Sequence, residues 1–152
     1  MEDSWDWDLY TTSGGNIPND LLEFFVPLLT DEKAHLLGDH PPGCVITAIQ
    51  AEKLRRGIAF IREFGHEAFK DTNRFHKIDG NLYEIRSVDK FGNPRWLFVR
   101  LEGDAGIIFV HALKKKNNGR LKAKECELAK ERRDDLERRR KAAKKPAQKR
   151  VG

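Results

Sequence analysis

The sequence predicts an α+β fold: one antiparallel sheet in the order strand-helix-helix-strand-strand-strand, followed by a C-terminal helix. Three observations predict it. The runs "NLYEIRSV", "PRWLFVRL" and "IIFVHAL" carry strand patterning and are joined by the short turns "DKFGN" and "EGDAG", the spacing of an antiparallel meander. Before them, "TAIQAEKLRRGIAFIREFG" repeats Leu54, Ile58 and Ile61 at i, i+4 and i+7, the stripe of an amphipathic helix. After them, the chain from Leu121 to Ala143 has no glycine or proline and favours helix.

The elements follow in order. "SWDWDLY" sets Trp5, Trp7 and Leu9 against Asp6 and Asp8, the alternation of a half-buried strand, and "TSGGN" breaks it. In "IPNDLLEFFVPLL", Pro18 is placed to open a helix and Pro27 to end or kink it. Residues 30–46 read as an irregular connection around Pro41-Pro42-Gly43 with a short helical turn. Thr47 caps the long second helix, Gly65 closes it, and Phe60 and Phe64 widen its stripe. The polar "HEAFKDTNRFHKIDG" leads to the meander. The last helix has a thin apolar stripe of Leu121, Leu128 and Leu136, so it docks weakly or extends into solvent. "KKPAQKRVG" is expected to be disordered, which gives a domain over 1–137 and a basic tail over 138–152. The helical pair is expected on one face of the sheet.

A length of 152 residues suits one domain with a real core, at 39% apolar and 35% charged residues. No apolar segment approaches a membrane span, and the acidic start "MEDSWDWD" does not resemble a secretory signal. Cys44 and Cys126 lack CxxC spacing and read as free thiols of a reducing compartment, so a cytoplasmic location without membrane contact is expected. Charge is segregated. Residues 1–110 hold 12 Lys/Arg and 18 Asp/Glu, net −6, whereas residues 111–152 hold 17 and 6, net +11. That polarity fits a polyanion partner for the C-terminal part or a solubilising basic tail. The absence of a G-x-x-x-x-G-K-[ST] loop, a paired metal motif and a G-x-S-x-G elbow argues against an NTPase, a zinc hydrolase and a serine hydrolase. Neither a cofactor nor a metal is expected.

Several pieces stand in a telling order: Leu82-Tyr83-Glu84-Ile85-Arg86, then Pro94-Arg95 before "WLFV", then His111-Ala112-Leu113-Lys114-Lys115-Lys116. "AEKLRRGIAFIREFG" precedes them and "HKIDG" introduces them. Over roughly residues 5–137 this resembles the phage-derived Gp49-like branch of the RelE/HigB toxins, in the RelE/ParE superfamily. "KKKNNGRLK" stands where that branch carries a Thr-rich segment and a proline. The resemblance implies a RelE-like single domain and a toxin of a type II toxin–antitoxin system. Such toxins cut messenger RNA on the ribosome without a metal, and a cognate helix-turn-helix antitoxin neutralises them. Two alternatives stand beside it: a non-catalytic toxin of this fold acting on a protein such as DNA gyrase, and a phage or prophage nucleic-acid-binding accessory protein.

Metal-free RNA cleavage requires a proton acceptor for the 2′-OH, a proton for the leaving 5′-oxygen and fixed cations for the phosphate. Arg86 interrupts an apolar-rich strand on the face of Leu82, Glu84 and Val88, so it serves a phosphate or pairs with an acid such as Glu84 on a neighbouring strand. Arg95 and Arg100 are five apart, on opposite faces, so at most one shares a cleft with Arg86. The resemblance favours Arg95; the alternative is an exposed hairpin arginine. His111 is a candidate acid or base, but it sits on the face of Ile107, Phe109 and Leu113, where a core histidine is the competing reading. His76 is a further candidate for proton transfer. Lys77, Lys114, Lys115, Lys116 and Arg120 are candidates for phosphate binding, with solvated positions as the alternative, and alternation keeps the three consecutive lysines from reaching one phosphate. The resemblance favours Lys115 and Lys116. Arg132, Arg133 and Arg138 to Arg140 could add ribosomal RNA contacts or form a solvated face laced with Glu131, Asp134, Asp135 and Glu137.

Overall fold

The structure is a computed structural model that describes residues 5–101, 106–115 and 119–149. It is α+β. A five-stranded sheet is made of β1 (Asp6–Leu9), β2 (His76–Asp79), β3 (Leu82–Arg86), β4 (Asn93–Arg100) and β5 (Gly106–Lys115), in the order β1-β5-β4-β3-β2. Part of the "EGDAG" turn, residues 102–105, lies outside the described residues, as does Lys116.

The sheet departs from the predicted one twice. First, it is mixed. β1 runs parallel to β5, with Asp6 opposite Gly106 and Leu9 opposite Phe109. A parallel partner requires a long crossover, which the helices between β1 and the meander supply. Second, the meander has four strands. β2 lies inside the segment read as a polar connection and pairs antiparallel with β3 as the sheet's edge. Edge strands tolerate polar residues because one side of their backbone faces away from the sheet.

On the helical side, α1 (Asn19–Leu22) and α2 (Val26–Glu32) replace one predicted helix. Pro27 falls in the first turn of α2, where a missing N–H costs nothing, so it starts the second helix instead of ending the first. A 3₁₀ turn at Ala34–Leu37 supplies the expected helical turn. α3 (Ala48–Phe64) follows the sequence closely: Thr47 and Gln50 form a reciprocal capping box. Gly65 ends it at φ +57°, and a Cβ there would lie 2.9 Å from Trp5 Nε1. Gly65→Ala is therefore expected to lower stability by more than about 1 kcal/mol in urea unfolding; an unchanged midpoint would contradict this packing.

Alternation divides the sheet into two faces. Tyr83, Phe98 and Phe109 align across three strands, as do Ile85, Trp96 and Ala112. This face meets the helical layer. The Phe25 and Phe109 rings are 4.8 Å apart, Trp96 Nε1 donates to the Phe24 carbonyl at 3.1 Å, and Gly57 lets α3 approach Ile85. Burying each such aromatic contributes on the order of 1.5–3 kcal/mol.

The other face is covered by α4 (Ala123–Lys149), which runs past the Ala143 limit read from composition into the segment expected to be disordered. Its apolar contribution is small, chiefly the buried Ala129 and Leu136. Polar ties hold it instead. Arg132 donates to the Val110 carbonyl at 2.9 Å, Arg139 to the Thr11 carbonyl at 2.6 Å, and the Tyr10 hydroxyl to Asp135 at 2.6 Å. Arg133 Nη1 meets Asp79 at 2.9 Å. So Arg132, Arg133 and Arg139 lock the helix to the sheet, while Arg138 pairs with Asp135 along the helix. Among the described residues no helix is long and apolar enough to cross a membrane.

Candidate functional site

The site forms around Glu84. Period-two alternation puts Leu82, Glu84 and Arg86 on the α4 face of β3. The register then sets His76 of β2 opposite Glu84, and Arg95 of β4 opposite Arg86. The Glu84 side chain is fully buried. Arg86 Nε donates to its Oε1 at 2.5 Å, and Arg95 Nη1 lies 3.9 Å from its Oε2. One carboxylate thus faces two guanidiniums on adjacent strands, hydrogen-bonded to Arg86 and paired by charge alone with Arg95, since Glu84 Oε2 and Arg95 Nη1 have no hydrogen-bond partner among the described residues. The acid partner anticipated for Arg86 is Glu84, but it comes from the same strand, two residues away. Glu84 itself was not singled out as a site residue, although the spacing in "LYEIR" carries the signal.

Arg95 is not the exposed hairpin arginine of the alternative reading. It is 1% exposed and donates to the Gly119 carbonyl in the segment leading into α4. Burial weakens the hold on its proton, and the charge of Glu84 offsets this. Arg100 lies on the opposite face, its guanidinium 4.5 Å over the Phe69 ring, as parity along β4 requires.

His111 corrects the face assigned to it. Leu97 pairs with His111 and Phe98 with Phe109, so β5 spends an extra residue, Val110, in a bulge. The bulge reverses alternation, and His111 shares the face of Leu97 and Leu113 instead of Phe109. It is buried, with Nε2 2.9 Å from Glu125 Oε1 of α4. This is an enclosed histidine tied to the covering helix.

His76 differs. It is half-buried, and burial followed by the charge of Arg86 holds its pKa below the ordinary 6.5. That shift favours the neutral ring, the form able to accept a proton.

Arg86 also reaches solvent. Its side chain is 27% exposed and lines a cavity of about 290 Å³ with Lys53 and Arg56 of α3 and Asp71, Asn73 and Arg74 of the following connection. Arg74 lies over the Phe60 ring at 4.2 Å, with Nε 3.5 Å from Asp71. Four cations and one carboxylate line this cavity, a charge balance suited to a phosphate. Lys53, Arg56 and Arg74 were not anticipated. No local pattern marks them, because they converge only when α3 packs on β3.

The predicted phosphate ligands are dispersed. Lys77 pairs with Tyr83 in register and lines a different cavity. Lys114 is exposed beside Gly92, Lys115 Nζ donates to the Arg120 carbonyl at 2.6 Å, and Arg120 is exposed. Among the described residues none of these lines the Arg86 cavity. Lys116 lies outside the described residues. Among the described residues, too, no three His, Cys, Asp or Glu side chains gather to hold a metal ion.

Residues 47–134 match the family described as phage derived protein Gp49-like. The comparison with curated proteins and that with solved structures return no match. The family match spans more than half of the 152 residues and contains Glu84, Arg86, Arg95, His76, His111 and the whole lining of the Arg86 cavity. The chain belongs to the phage-derived Gp49-like family.

Proposed function

We propose that this protein is the toxin of a type II toxin–antitoxin system and an endoribonuclease that cuts messenger RNA on the ribosome. The observation that carries the reading is Arg86, bonded to buried Glu84 on one side and open to a cationic cavity on the other. Membership of the Gp49-like family and the resemblance to RelE/HigB toxins support it. In this mechanism His76 takes the 2′-OH proton. The 2′-oxygen attacks phosphorus and the bond to the 5′-oxygen breaks, leaving a 2′,3′-cyclic phosphate. The leaving oxygen takes a proton from solvent in the open cavity. Arg86, with Arg74 and Arg56, stabilises the charge that builds on the phosphate. Arg95 acts through Glu84 as a positioning residue. The partners in this reading are messenger RNA, the ribosome and a cognate helix-turn-helix antitoxin, all met in the cytoplasm.

The test is induction in a bacterial host with message 5′ ends mapped. Growth arrest with new cleavages inside translated codons is expected; growth without arrest would overturn the reading. The depressed pKa of His76 adds a pH prediction. The rate should rise with pH along an acid limb whose midpoint lies below 6.5, and His76→Gln should remove that limb. The same shift has a stability sign: below 6.5 the unfolded chain takes up a proton that the folded one resists, so stability falls as pH falls through that window.

A second reading, a non-catalytic toxin that binds a protein target, is favoured by the enclosure of Arg95 and His111 beneath α4. Arrest with intact messages and stalled DNA replication would select it.

A further inference from the structure

We infer that the large cavity at the far end of β3 from Arg86 is a second anion site, which holds a backbone phosphate of the RNA strand engaged at Arg86. The inference rests on the RNA reading above. The cavity is about 910 Å³ and is lined by Lys77, Arg100, Arg140 and Lys141 against the single carboxylate of Glu137. Its volume accommodates a nucleotide-sized ligand, and its charge favours a phosphodiester.

The lining is preorganised. Arg100 rests over Phe69 at 4.5 Å and its Nη2 donates to His66 Nδ1 at 2.6 Å, so the guanidinium is already held at the cavity wall. Glu137 is held on the wall, its Oε2 accepting from Asn81 Nδ2 of the same lining at 3.0 Å. Arg140 and Lys141 follow within little more than one turn of α4, which the Arg133–Asp79 and Arg139–Thr11 contacts fix to the sheet.

Position points to a strand of RNA and not to a lone anion. Asn81 and Arg86 stand five residues apart along β3 and its turn, about 17 Å at the rise of a strand. That separation exceeds one phosphate group and suits successive nucleotides of an extended strand. Lys77, at this cavity, lies on edge strand β2, the neighbour of the strand that carries Arg86. Glu137, Arg140 and Lys141 lie beyond the family match at 47–134.

The test is fluorescence anisotropy with the full chain and a 2′-O-methyl RNA 12-mer, which cannot be cleaved by 2′-OH attack. The Arg140→Gln/Lys141→Gln double variant should bind about tenfold more weakly. The slope of log affinity against log salt should shrink by about 0.7, the loss of one single-strand phosphate contact. Glu137→Gln, which keeps an acceptor for Asn81, should bind more tightly. Wild-type affinity and slope in both variants, with unchanged thermal melting, would overturn the site. Arg86→Ala in the same assay separates the two claims. If it binds as wild type while the double variant is weakened, the second site stands and the Arg86 reading fails. If wild-type protein does not bind the 12-mer, the second site fails whatever the cleavage assays give.

Discussion

Glu84→Ala is expected to destabilise the protein by about 3–5 kcal/mol, because it strands the buried Arg95 without its carboxylate. That is a large part of the roughly 5–15 kcal/mol that holds a typical domain folded. The loss comes from an unpaired buried charge and not from a weak fold elsewhere. Removing both charges should therefore reverse it: Glu84→Leu/Arg95→Met should recover most of the stability, since apolar residues of similar volume commonly replace a buried ion pair without loss. Chemical denaturation of the single and double variants checks this. Equal destabilisation of both would mean that the pair contributes through packing and not through charge.

Arg86→Ala is expected to lower ribosome-dependent cleavage by about 10²–10³-fold, the cost of removing one preorganised charge from a developing anion. Its stability should fall as well, because Arg86 donates the hydrogen bond to the buried Glu84 carboxylate and Arg95 Nη1 stands 3.9 Å away, so cleavage is compared per folded molecule. Single-turnover cleavage on programmed ribosomes, with circular dichroism melting of the same samples, separates the two effects. Cleavage per folded molecule within threefold of wild type would remove Arg86 from the site and make it a structural arginine.

The contrast between these arginines shows what the sequence could and could not reveal. Arg95 was separable from Arg100 by parity alone, because an odd spacing along an unbulged strand fixes opposite faces, and β4 carries no extra residue. His111 was misassigned by the same rule, since the rule fails wherever a bulge adds a residue, and Val110 does so in β5. α3 was legible from end to end, as its capping residues, apolar period and terminal glycine are all local signals. β1 announced itself as a strand but not its direction, because its partner lies some hundred residues away and pairing sense leaves no local mark. β2 was hidden by its polar composition at the sheet edge. The docking of α4 was hidden by chemistry: arginine-to-carbonyl ties hold it, and a search for an apolar stripe does not register them.

The cavity follows the same logic. Arg86 stood out because a cation in an apolar strand needs a reason. Lys53, Arg56 and Arg74 looked like ordinary solvated residues of a helix and a loop, and only the packing of α3 against β3 turns them toward one point. The C-terminal excess of positive charge proves to be divided. Arg132, Arg133 and Arg139 are engaged in holding α4, whereas Arg140 and Lys141 line the second cavity.

The central claim is that RNA is cut by attack of its own 2′-oxygen at the Arg86 cavity, without a metal. The most direct measurement is the chemistry of the cut ends after single-turnover cleavage of a message on purified programmed ribosomes in excess EDTA. A 2′,3′-cyclic phosphate upstream and a 5′-hydroxyl downstream are predicted. A 3′-hydroxyl with a 5′-phosphate, or an uncut message, would contradict the account.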